Sequence, residues 1–271
     1  MRRGDESLLR DFFPFEVADR LLKLSSVLVS FSGGVDSSAI LALLAGIMPD
    51  GTVHSVLFDS FLHPERERGR AVSLCRDLGV DLRVIPGPEL SDDRVMGNLE
   101  GRCAFCKELR ICEILRLKEE MGIEAIVDGT NHDDLQDPTR LGNSVLNRYP
   151  VFSPLAEAGL SKRRVRELAK ALDIPWWNET ATACMATRFP LGIALRADEA
   201  KRAFDAEECL KELGLEVRVR VWNDSICLEL FPYRDETMVA FREPIVKGLK
   251  SLGFRRIMVD LEGYSTGRTW P

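Results

Sequence analysis

The sequence predicts an α/β protein in which a parallel sheet, covered by helices, is followed by a smaller C-terminal α+β domain. Two observations support this prediction. Over the first 130 residues, short apolar runs alternate with helix-like segments, which is typical of a parallel sheet with helices on both faces. From about Leu195 the pattern changes to a helix, two stretches of alternating residues, a second helix and a last strand. We therefore predict two domains, residues 1–177 and residues 178–271.

The predicted elements of the larger domain begin with a surface helix at residues 15–24. They continue with strands at Ser26–Phe31, Thr52–Phe58, Asp81–Ile85 and Ala125–Asp128, and with helices at Asp36–Gly46, Glu65–Leu78 and Phe105–Met121. Residues 135–160 contain several breakers and predict a loop-rich segment, after which a helix opens at Ser161 and ends before Pro175. The smaller domain is predicted to contain helices at Ala197–Leu213 and Glu236–Leu252 and strands at Glu216–Val221, Ser225–Phe231 and Arg255–Leu261.

The composition is that of an ordinary folded protein and argues against several classes of function. Of the 271 residues, 45% are hydrophobic and 30% are charged, and the net charge is −6. This acidic balance argues against nucleic acid as a substrate, because neutralisation of phosphates dominates the affinity of nucleic-acid binders. No apolar run approaches the roughly 20 residues of a membrane span, and the N-terminal segment lacks the apolar core of a secretory signal. We expect a cytoplasmic protein without membrane contact.

The stretch SGGVDSS, residues 32–38, directly follows the first predicted strand and opens a helix. A glycine turn at this place exposes backbone N–H groups, and phosphate is the natural ligand of such a helix N-terminus. The stretch matches SGGxDS, the pyrophosphate loop of the PP-loop ATP pyrophosphatases, which cleave ATP between the α and β phosphates; an ordinary capped turn is the alternative. The match implies that Asp36 binds Mg²⁺ and is catalytic. The predicted ATP-binding residues here are Ser32, Gly33, Gly34, Asp36, Ser37 and Ser38.

A second polar segment, DGTNHDD at 128–134, follows the strand predicted at 125–128. Ligands of parallel sheets bind beyond the carboxyl ends of the strands, so this segment is expected to face the same crevice as residues 32–38. Its carboxylates and amides suit Mg²⁺ or the ribose and phosphates of ATP, whereas an Asx turn with a helix cap is the alternative. We assign Asp128, Gly129 and Thr130 to ATP binding.

Seven cysteines, an odd number in a chain without secretory features, argue against a disulfide scaffold. Cys103 and Cys106 form a C-x-x-C pair, which is found in redox pairs, in zinc sites and in iron–sulfur sites. A third thiol, Cys184, lies in the unusual small-residue stretch TACMATR at 182–188. Three thiolates around a 4Fe–4S cluster would leave one iron open to a further ligand, and unrelated thiols are the alternative. The other cysteines are expected to pack in the core: Cys75, Cys112, Cys209 and Cys227.

The smaller domain contains VRVR at 217–220, where strand alternation places Arg218 and Arg220 on one face. Two adjacent guanidinium groups suit a phosphate. A solvated strand face is the alternative, and these residues alone do not decide between the two.

Together these motifs resemble those of the LarE family of PP-loop sulfur transferases, and the resemblance covers nearly the whole chain. Beyond SGGVDS, it rests on DGTNHDD (128–134), SPLAEAGLSKRRVRELAKALDIPWW (153–177), ACMATRFPLG (183–192), VRVR (217–220) and VDLEGY (259–264). It implies a Rossmann-like sheet of the PP-loop, or adenine nucleotide alpha hydrolase, type. It also implies that ATP and Mg²⁺ serve to adenylate a carboxylate of a pyridinium dicarboxylate mononucleotide. Sulfur then converts this group to a thiocarboxylate, a step in the synthesis of the nickel-pincer cofactor.

Members of this family obtain sulfur in two ways. One type sacrifices the cysteine that corresponds to Cys184, which becomes dehydroalanine. The other type adds a C-x-x-C pair and holds a 4Fe–4S cluster with all three thiols, so that an extra sulfide on the open iron is the donor. Since Cys103 and Cys106 are present, the resemblance implies the cluster type, with Cys184 catalytic and sulfide or another sulfur donor as a partner. It further implies a substrate-phosphate site at Arg188, Arg218 and Arg220, and homo-oligomers.

Other assignments remain open from the sequence. A tRNA thiolase also combines a PP-loop with a three-cysteine cluster, but the acidic charge and the lack of an evident RNA-binding module argue against it. An amide-forming PP-loop ligase would leave the cysteines without a shared role. A non-enzymatic nucleotide sensor would bind ATP without turning it over.

Overall fold

The structure is a computed structural model that describes residues 4–138, 141–179, 183–233 and 235–265. The described residues form two compact units. The first is drawn from residues 1–60, 65–92 and 103–182, and the second from residues 61–64, 93–102 and 183–271. Two short segments of the first half of the chain therefore belong to the second unit. The boundary between residues 177 and 178 stays a prediction.

The strands of the described chain are β1 (Val27–Ser30), β2 (Val53–Asp59), β3 (Asp81–Pro86), β4 (Ala125–Asp128), β5 (Val151–Phe152), β6 (Val217–Trp222), β7 (Ser225–Leu230) and β8 (Arg256–Val259). Its helices are α1 (Glu6–Phe12), α2 (Phe15–Lys23), α3 (Val35–Ile47), α4 (Glu65–Leu78), α5 (Asp93–Met96), α6 (Arg102–Met121), α7 (His132–Gln136), α8 (Pro154–Glu157), α9 (Lys162–Ala171), α10 (Ala197–Glu212), α11 (Asp235–Ala240) and α12 (Arg242–Ser251). Short 3-10 segments lie at Pro88–Ser91, Leu141–Arg148 and Met185–Arg188. None of the helices within the described ranges is long and apolar enough to cross a membrane.

The first unit contains a five-stranded sheet in the order β3-β2-β1-β4-β5, and all neighbouring strands run parallel. The predicted parallel α/β architecture is thus confirmed. The central strand β1 is buried on both faces, which explains why its sequence is a continuous apolar run. Val27 and Val29 pack with α1, α2, α3, α4 and α9. Leu28 packs in a separate cluster with Ile114 and Leu117 of α6.

The predicted element boundaries agree with the structure to within a few residues, and the differences have local causes. The sequence does not predict β5, which is two residues long and is defined by its pairing with β4. The helix predicted at 236–252 is instead two helices, α11 and α12. Pro244 lies in the first turn of α12, where its missing N–H is tolerated. It cannot donate to Ala240, four residues earlier, so one continuous helix is excluded.

The second unit contains a three-stranded sheet in the order β6-β7-β8. The strands β6 and β7 are antiparallel and joined by a turn at Asn223, whereas β7 and β8 are parallel. The central strand is buried from Ile226 to Leu230, and α10 packs against both β6 and α12. This unit has the mixed α+β character that the sequence predicts.

A buried ion pair fixes the segment after β3 to α6 in the first unit. Glu89 has no exposed surface, and its carboxylate accepts hydrogen bonds from Nε of Arg110 at 3.1 Å and from Nη2 of the same residue. Burial raises the pKa of Glu89, but the hydrogen bonds and charge of Arg110 outweigh this effect, and the pKa lies below its ordinary value. Arg110 also lies over the ring of Phe58, 5.3 Å from its centroid.

We expect Glu89→Ala to lower the free energy of unfolding by about 3–5 kcal/mol, because it removes the carboxylate from a buried pair. Glu6→Ala breaks an exposed i,i+4 pair with Arg10 and is the control, with an expected cost below about 0.5 kcal/mol. The pKa of Glu89 is lower in the folded than in the unfolded chain. The contribution of this carboxylate to the free energy of unfolding is therefore fully present above its pKa in the unfolded chain, and it is lost as the pH falls through its pKa in the folded chain. Urea denaturation across this pH range measures both effects; equal costs in the two variants would contradict the assignment.

Candidate functional site

The candidate nucleotide site of the first unit lies at the carboxyl ends of β1 and β4. Ser30, the last residue of β1, is the register partner of Asp128, the last residue of β4. The segments that follow these two residues therefore leave the sheet side by side, before α3 and α7 begin. The structure brings the polar segments 32–38 and 128–134 to one edge of the sheet.

Two glycines allow the backbones to approach closely at this edge. Gly33 has a φ of 78°, and a Cβ at this position would lie 2.2 Å from the carbonyl oxygen of Glu67. A Cβ on Gly129 would lie 2.6 Å from the backbone nitrogen of Ser37. Both positions therefore require glycine, Gly33 for its conformation as well as for space.

The turn into α3 presents hydroxyls and backbone N–H groups. The Oγ atoms of Ser32 and Ser37 lie 3.0 Å apart, and Ser37 Oγ also donates to the carbonyl of Gly34 at 3.2 Å. The helix begins at Val35, and the N–H groups of its first turn have no acceptor within the helix, which favours an anion here. Ser38 is fully buried, and its Oγ has no hydrogen-bond partner among the described residues.

Asp36 lies in the first turn of α3, and its two carboxylate oxygens differ in their hydrogen bonding. Its Oδ2 accepts hydrogen bonds from Nδ2 of Asn131 at 3.3 Å and from the ammonium of Lys162. Its Oδ1 is buried and lacks a hydrogen-bond partner within the described part of the chain. An orphaned carboxylate oxygen fits Mg²⁺, which binds few carboxylates and keeps oxygen ligands from phosphate and water.

Lys162 is not among the site residues predicted from the sequence, although a signal for it exists. Lys162 is the first residue of α9. A cation is disfavoured at the N-terminus of a helix by the helix dipole. A lysine at that position therefore indicates an acidic partner, which the structure identifies as Asp36.

Asp128 holds the second polar segment together. Its Oδ1 accepts hydrogen bonds from Ser153 Oγ at 2.7 Å and from the backbone N–H of Thr130 at 3.1 Å. Its Oδ2 accepts from Thr130 Oγ1 at 2.6 Å and from Lys107 Nζ at 3.1 Å. Burial raises the pKa of Asp128, but the charge of Lys107 and these hydrogen bonds outweigh burial and lower the pKa. With four donors in place, this carboxylate shapes the loop. The backbone N–H of Thr130 is bound to Asp128, and that of Asn131 donates to Asp134 Oδ2 at 3.4 Å.

The predicted cluster cysteines are divided between the two units. Cys103 and Cys106 lie near the start of α6 in the first unit, three residues apart and hence on one face of the helix. Cys184 directly precedes the 3-10 segment 185–188 of the second unit. Cys103 is exposed, and the other two are half-buried. Thiols of this kind fit the donor chemistry of an iron–sulfur cluster, but no group of three or more His, Cys, Asp or Glu residues in the described ranges is placed to hold a metal ion.

The other four cysteines differ in their surroundings. Cys75 is buried, which raises its pKa to about 11, and Cys227 is buried in β7. Cys209 is half-buried, with its Sγ against Gly248. Cys112 is exposed and lies 3.8 Å from the hydroxyl of Tyr149, so the expectation of core packing is wrong for this residue. It points to solvent because it lies on the outer side of α6. All seven cysteines are thiols rather than disulfides.

The backbone around Cys184 is held by hydrogen bonds within the second unit. Its carbonyl oxygen accepts from the N–H of Thr187 at 3.0 Å, from Thr187 Oγ1 at 2.8 Å and from Arg188 Nη1 at 3.2 Å. Asn98 is fully buried, and its Nδ2 donates to the carbonyl of Pro190 at 2.7 Å. The segment that carries Cys184 is therefore held by hydrogen bonds from its own side chains and from Asn98.

Three arginines and two glutamates form a charge cluster in the second unit. Arg188 donates through Nε and Nη2 to the two oxygens of Glu207, at 3.0 and 2.8 Å. Arg220 is bound in the same way to Glu229, at 3.0 and 2.9 Å. Arg188 is 1% exposed and Arg220 3% exposed; the Arg220–Glu229 pair is buried, and the Arg188–Glu207 pair is partly buried. The two glutamates, Glu207 and Glu229, are not among the site residues predicted from the sequence.

Arg218 is the least neutralised member of this cluster. Its Nε lies 3.7 Å from Glu207, a carboxylate that Arg188 already binds with two hydrogen bonds. Its guanidinium lies 5.2 Å from the centroid of the Tyr264 ring. Burial lowers the pKa of Arg218, and the charge of Arg188 lowers it further. A buried cluster with a surplus of positive charge is suited to an anion such as phosphate.

Comparison with known proteins relates both units to other chains. Residues 8–119 match the family model of asparagine synthase. The chain is 32% identical over 249 residues to the pyridinium-3,5-bisthiocarboxylic acid mononucleotide synthase of Lactiplantibacillus plantarum, and the match covers 92% of this chain and 90% of that protein. It is 30% identical to an uncharacterised protein of Synechocystis, and the match covers 91% of this chain and 92% of that protein. An uncharacterised protein of Methanocaldococcus jannaschii is 26% identical, with 89% and 92% covered.

Gly33→Ala is expected to distort the loop at 32–38 and to abolish ATP binding. An L residue at a φ of 78° is strained, by roughly 1–3 kcal/mol, and the added Cβ meets the Glu67 carbonyl. Gly69→Ala is the matched control, because a Cβ at Gly69, within α4, would meet nothing within 4 Å. Titration with a fluorescent ATP analogue measures the difference, and equal affinity in the two variants would contradict the role of this turn.

Proposed function

The chain belongs to the LarE family of PP-loop sulfur transferases, and we propose that it uses ATP to convert a carboxylate of a pyridinium dicarboxylate mononucleotide to a thiocarboxylate. The observation that carries the proposal is the 32% identity over 92% of the chain to a pyridinium-3,5-bisthiocarboxylic acid mononucleotide synthase. The match spans both units, so the proposal draws on both candidate sites. A role in nickel-pincer cofactor synthesis, a cytoplasmic location and homo-oligomers are further predictions from this assignment.

The first unit is proposed to carry out adenylation. The N–H groups at the start of α3 and the hydroxyls of Ser32 and Ser37 bind the phosphates of ATP that leave as pyrophosphate. Asp36 holds Mg²⁺ through the oxygen that has no protein partner; the ion, when bound, neutralises the charge that develops on the leaving pyrophosphate. The loop of residues 129–131, which Asp128 shapes through its hydrogen bonds to Thr130, is proposed to contact the nucleotide from the β4 side.

The three thiols are proposed to hold the group from which sulfur is transferred. Cys103, Cys106 and Cys184 would hold a 4Fe–4S cluster, which when bound would supply sulfide in a deprotonated, positioned form. The second unit contributes the fixed backbone of Cys184, whose carbonyl accepts three hydrogen bonds from Thr187 and Arg188. Sacrifice of Cys184 itself is the alternative, and it needs neither of the other two thiols.

The second unit is proposed to bind the phosphate of the mononucleotide at Arg218. Arg188 and Arg220 are each held by a carboxylate in a two-bond arrangement, so they fix the site rather than offer an unsatisfied charge. Arg218 has a single long ion pair with Glu207 and an aromatic ring beside it. Phosphate recognition is thus assigned chiefly to one of the three predicted arginines.

Arg218→Ala is expected to weaken binding of the mononucleotide by about 1.5–3 kcal/mol, the value of a hydrogen bond to a charged group. Its affinity for ATP should not change. The same variant should bind the corresponding nucleoside, which lacks the phosphate, as well as the wild type does. Calorimetric titration with both compounds measures this. If Arg218→Ala binds the mononucleotide normally, or loses both compounds equally, the phosphate assignment is wrong.

Replacing any one of Cys103, Cys106 and Cys184 by Ala is expected to remove iron and sulfur transfer while adenylation persists. Cys112→Ala is the matched control, since Cys112 is an exposed thiol of the same helix as Cys103 and should be dispensable. Iron analysis, product analysis and pyrophosphate release measure the three effects. The sacrificial alternative predicts instead an active Cys103→Ala variant and a loss of about 34 Da at Cys184 after turnover, which lies outside the reversible thiol oxidations.

The proposed activity is tested by incubating the protein with ATP, Mg²⁺, a sulfur source and the mononucleotide. We expect AMP, pyrophosphate and a product in which sulfur replaces one carboxylate oxygen. Turnover that depends on tRNA would favour the tRNA thiolase, and an amide product with added ammonia would favour the ligase. Nucleotide binding without any AMP formation would favour the non-enzymatic nucleotide sensor.

A further inference from the structure

A lysine side chain is paired with Asp36 Oδ2, next to the oxygen Oδ1 at which a divalent cation is expected. Lys162 Nζ and Asp36 Oδ2 form an ion pair in which the side chains are 26% and 18% exposed, and Nδ2 of Asn131 donates to the same oxygen. We propose that Lys162 closes Asp36 to free divalent cations and releases it when ATP binds, so that the metal ion enters only together with the nucleotide. This inference rests on the assignment of residues 32–38 to ATP and deepens the proposed function.

The main chain of Lys162 is fixed, so its side chain alone has to move. The backbone N–H of Lys162 donates to Asp133 Oδ2 at 2.8 Å. Ser161 caps α9, with its Oγ accepting from the N–H of Arg164. Both contacts hold the first turn of α9, and neither involves the ammonium group. The flexible four-carbon stem of lysine then allows the charge to shift between neighbouring acceptors.

The charges around Asp36 favour its pairing with Lys162 in the absence of nucleotide and the release of Lys162 when ATP is bound. Without nucleotide, a divalent ion at Asp36 Oδ1 would lie within a few ångströms of the Lys162 ammonium, and the repulsion between them is twice that of two unit charges at the same distance. The helix N-terminus adds to this repulsion, because it also disfavours cations. When a triphosphate occupies residues 32–38, it offers Lys162 several anionic oxygens in place of one carboxylate. Asp36 Oδ2 then keeps Asn131 as its partner, and Oδ1 is available, without a lysine charge beside it, to the ion that the phosphates also bind.

The test is a Mn²⁺ titration of the whole protein followed by electron paramagnetic resonance, first without nucleotide. Lys162→Met should bind Mn²⁺ at least about tenfold more tightly than the wild type, because the repelling charge is gone. The double variant Lys162→Met, Asp36→Asn should lose this gain. With α,β-methylene ATP, which is not cleaved at the bond in question, the wild type should bind Mn²⁺ well.

The matched control is Lys170→Met, which removes a charge from the same helix. Lys170 lies over the ring of Trp177, in the last turn of α9, and its loss should leave Mn²⁺ affinity unchanged. Equal Mn²⁺ affinity of Lys162→Met and the wild type, with circular dichroism showing both folded, would overturn the inference. An equal gain in Lys170→Met would overturn it too, because it would show a general charge effect. No mononucleotide is used, so a failure of the sulfur-transfer proposal leaves these outcomes unaffected.

Discussion

The parallel pairing of β1 between β2 and β4 is the constraint on which the candidate nucleotide site depends. Because β1 is buried on both faces, Val27 and Val29 must meet one core and Leu28 the other, and a slip of one residue would exchange them. The resulting register opposes Ser30 to Asp128, so both polar segments leave the sheet at the same edge. Gly33 and Gly129 then let these segments pack against neighbouring backbone at distances that no other residue allows.

In both units, ion pairs between buried or partly buried side chains hold the candidate site residues in place. In the first unit, Asp128 is satisfied by four donors, one of them Lys107. Lys107 directly follows Cys106, so the same ion pair joins the helix of the C-x-x-C pair to the nucleotide loop. In the second unit, two Arg–Glu pairs, one buried and one partly buried, surround Arg218. Such pairs add little net stability but are costly to break, and here they fix the geometry for a ligand in advance.

The sequence predicts the sheet of the first unit well, because continuous apolar runs and helix signals are local features. It does not predict β5, whose two residues are a strand only through pairing with β4, nor the break at Pro244 within an otherwise helical pattern. For the site, the glycine loop and Asp36 are recognisable because their spacing is local. Lys162 and Glu207 are harder to recognise. The position of Lys162 at a helix N-terminus indicates an acidic partner, but the identity of that partner, like the partner of Glu207, depends on the tertiary fold. The different states of Arg218 and Arg220 likewise depend on tertiary packing, because both look alike in the pattern VRVR.

We propose that the carboxyl edge of the first unit activates a carboxylate of the substrate by adenylation. The most direct measurement uses the mononucleotide with oxygen-18 in its carboxylates and follows the label through one turnover by mass spectrometry. Attack of a carboxylate oxygen on the α phosphate, followed by sulfur displacing AMP, must leave one labelled oxygen in the phosphate of AMP. The account predicts this transfer in step with thiocarboxylate formation. Unlabelled AMP, or ADP with label in the other phosphate product, would contradict it.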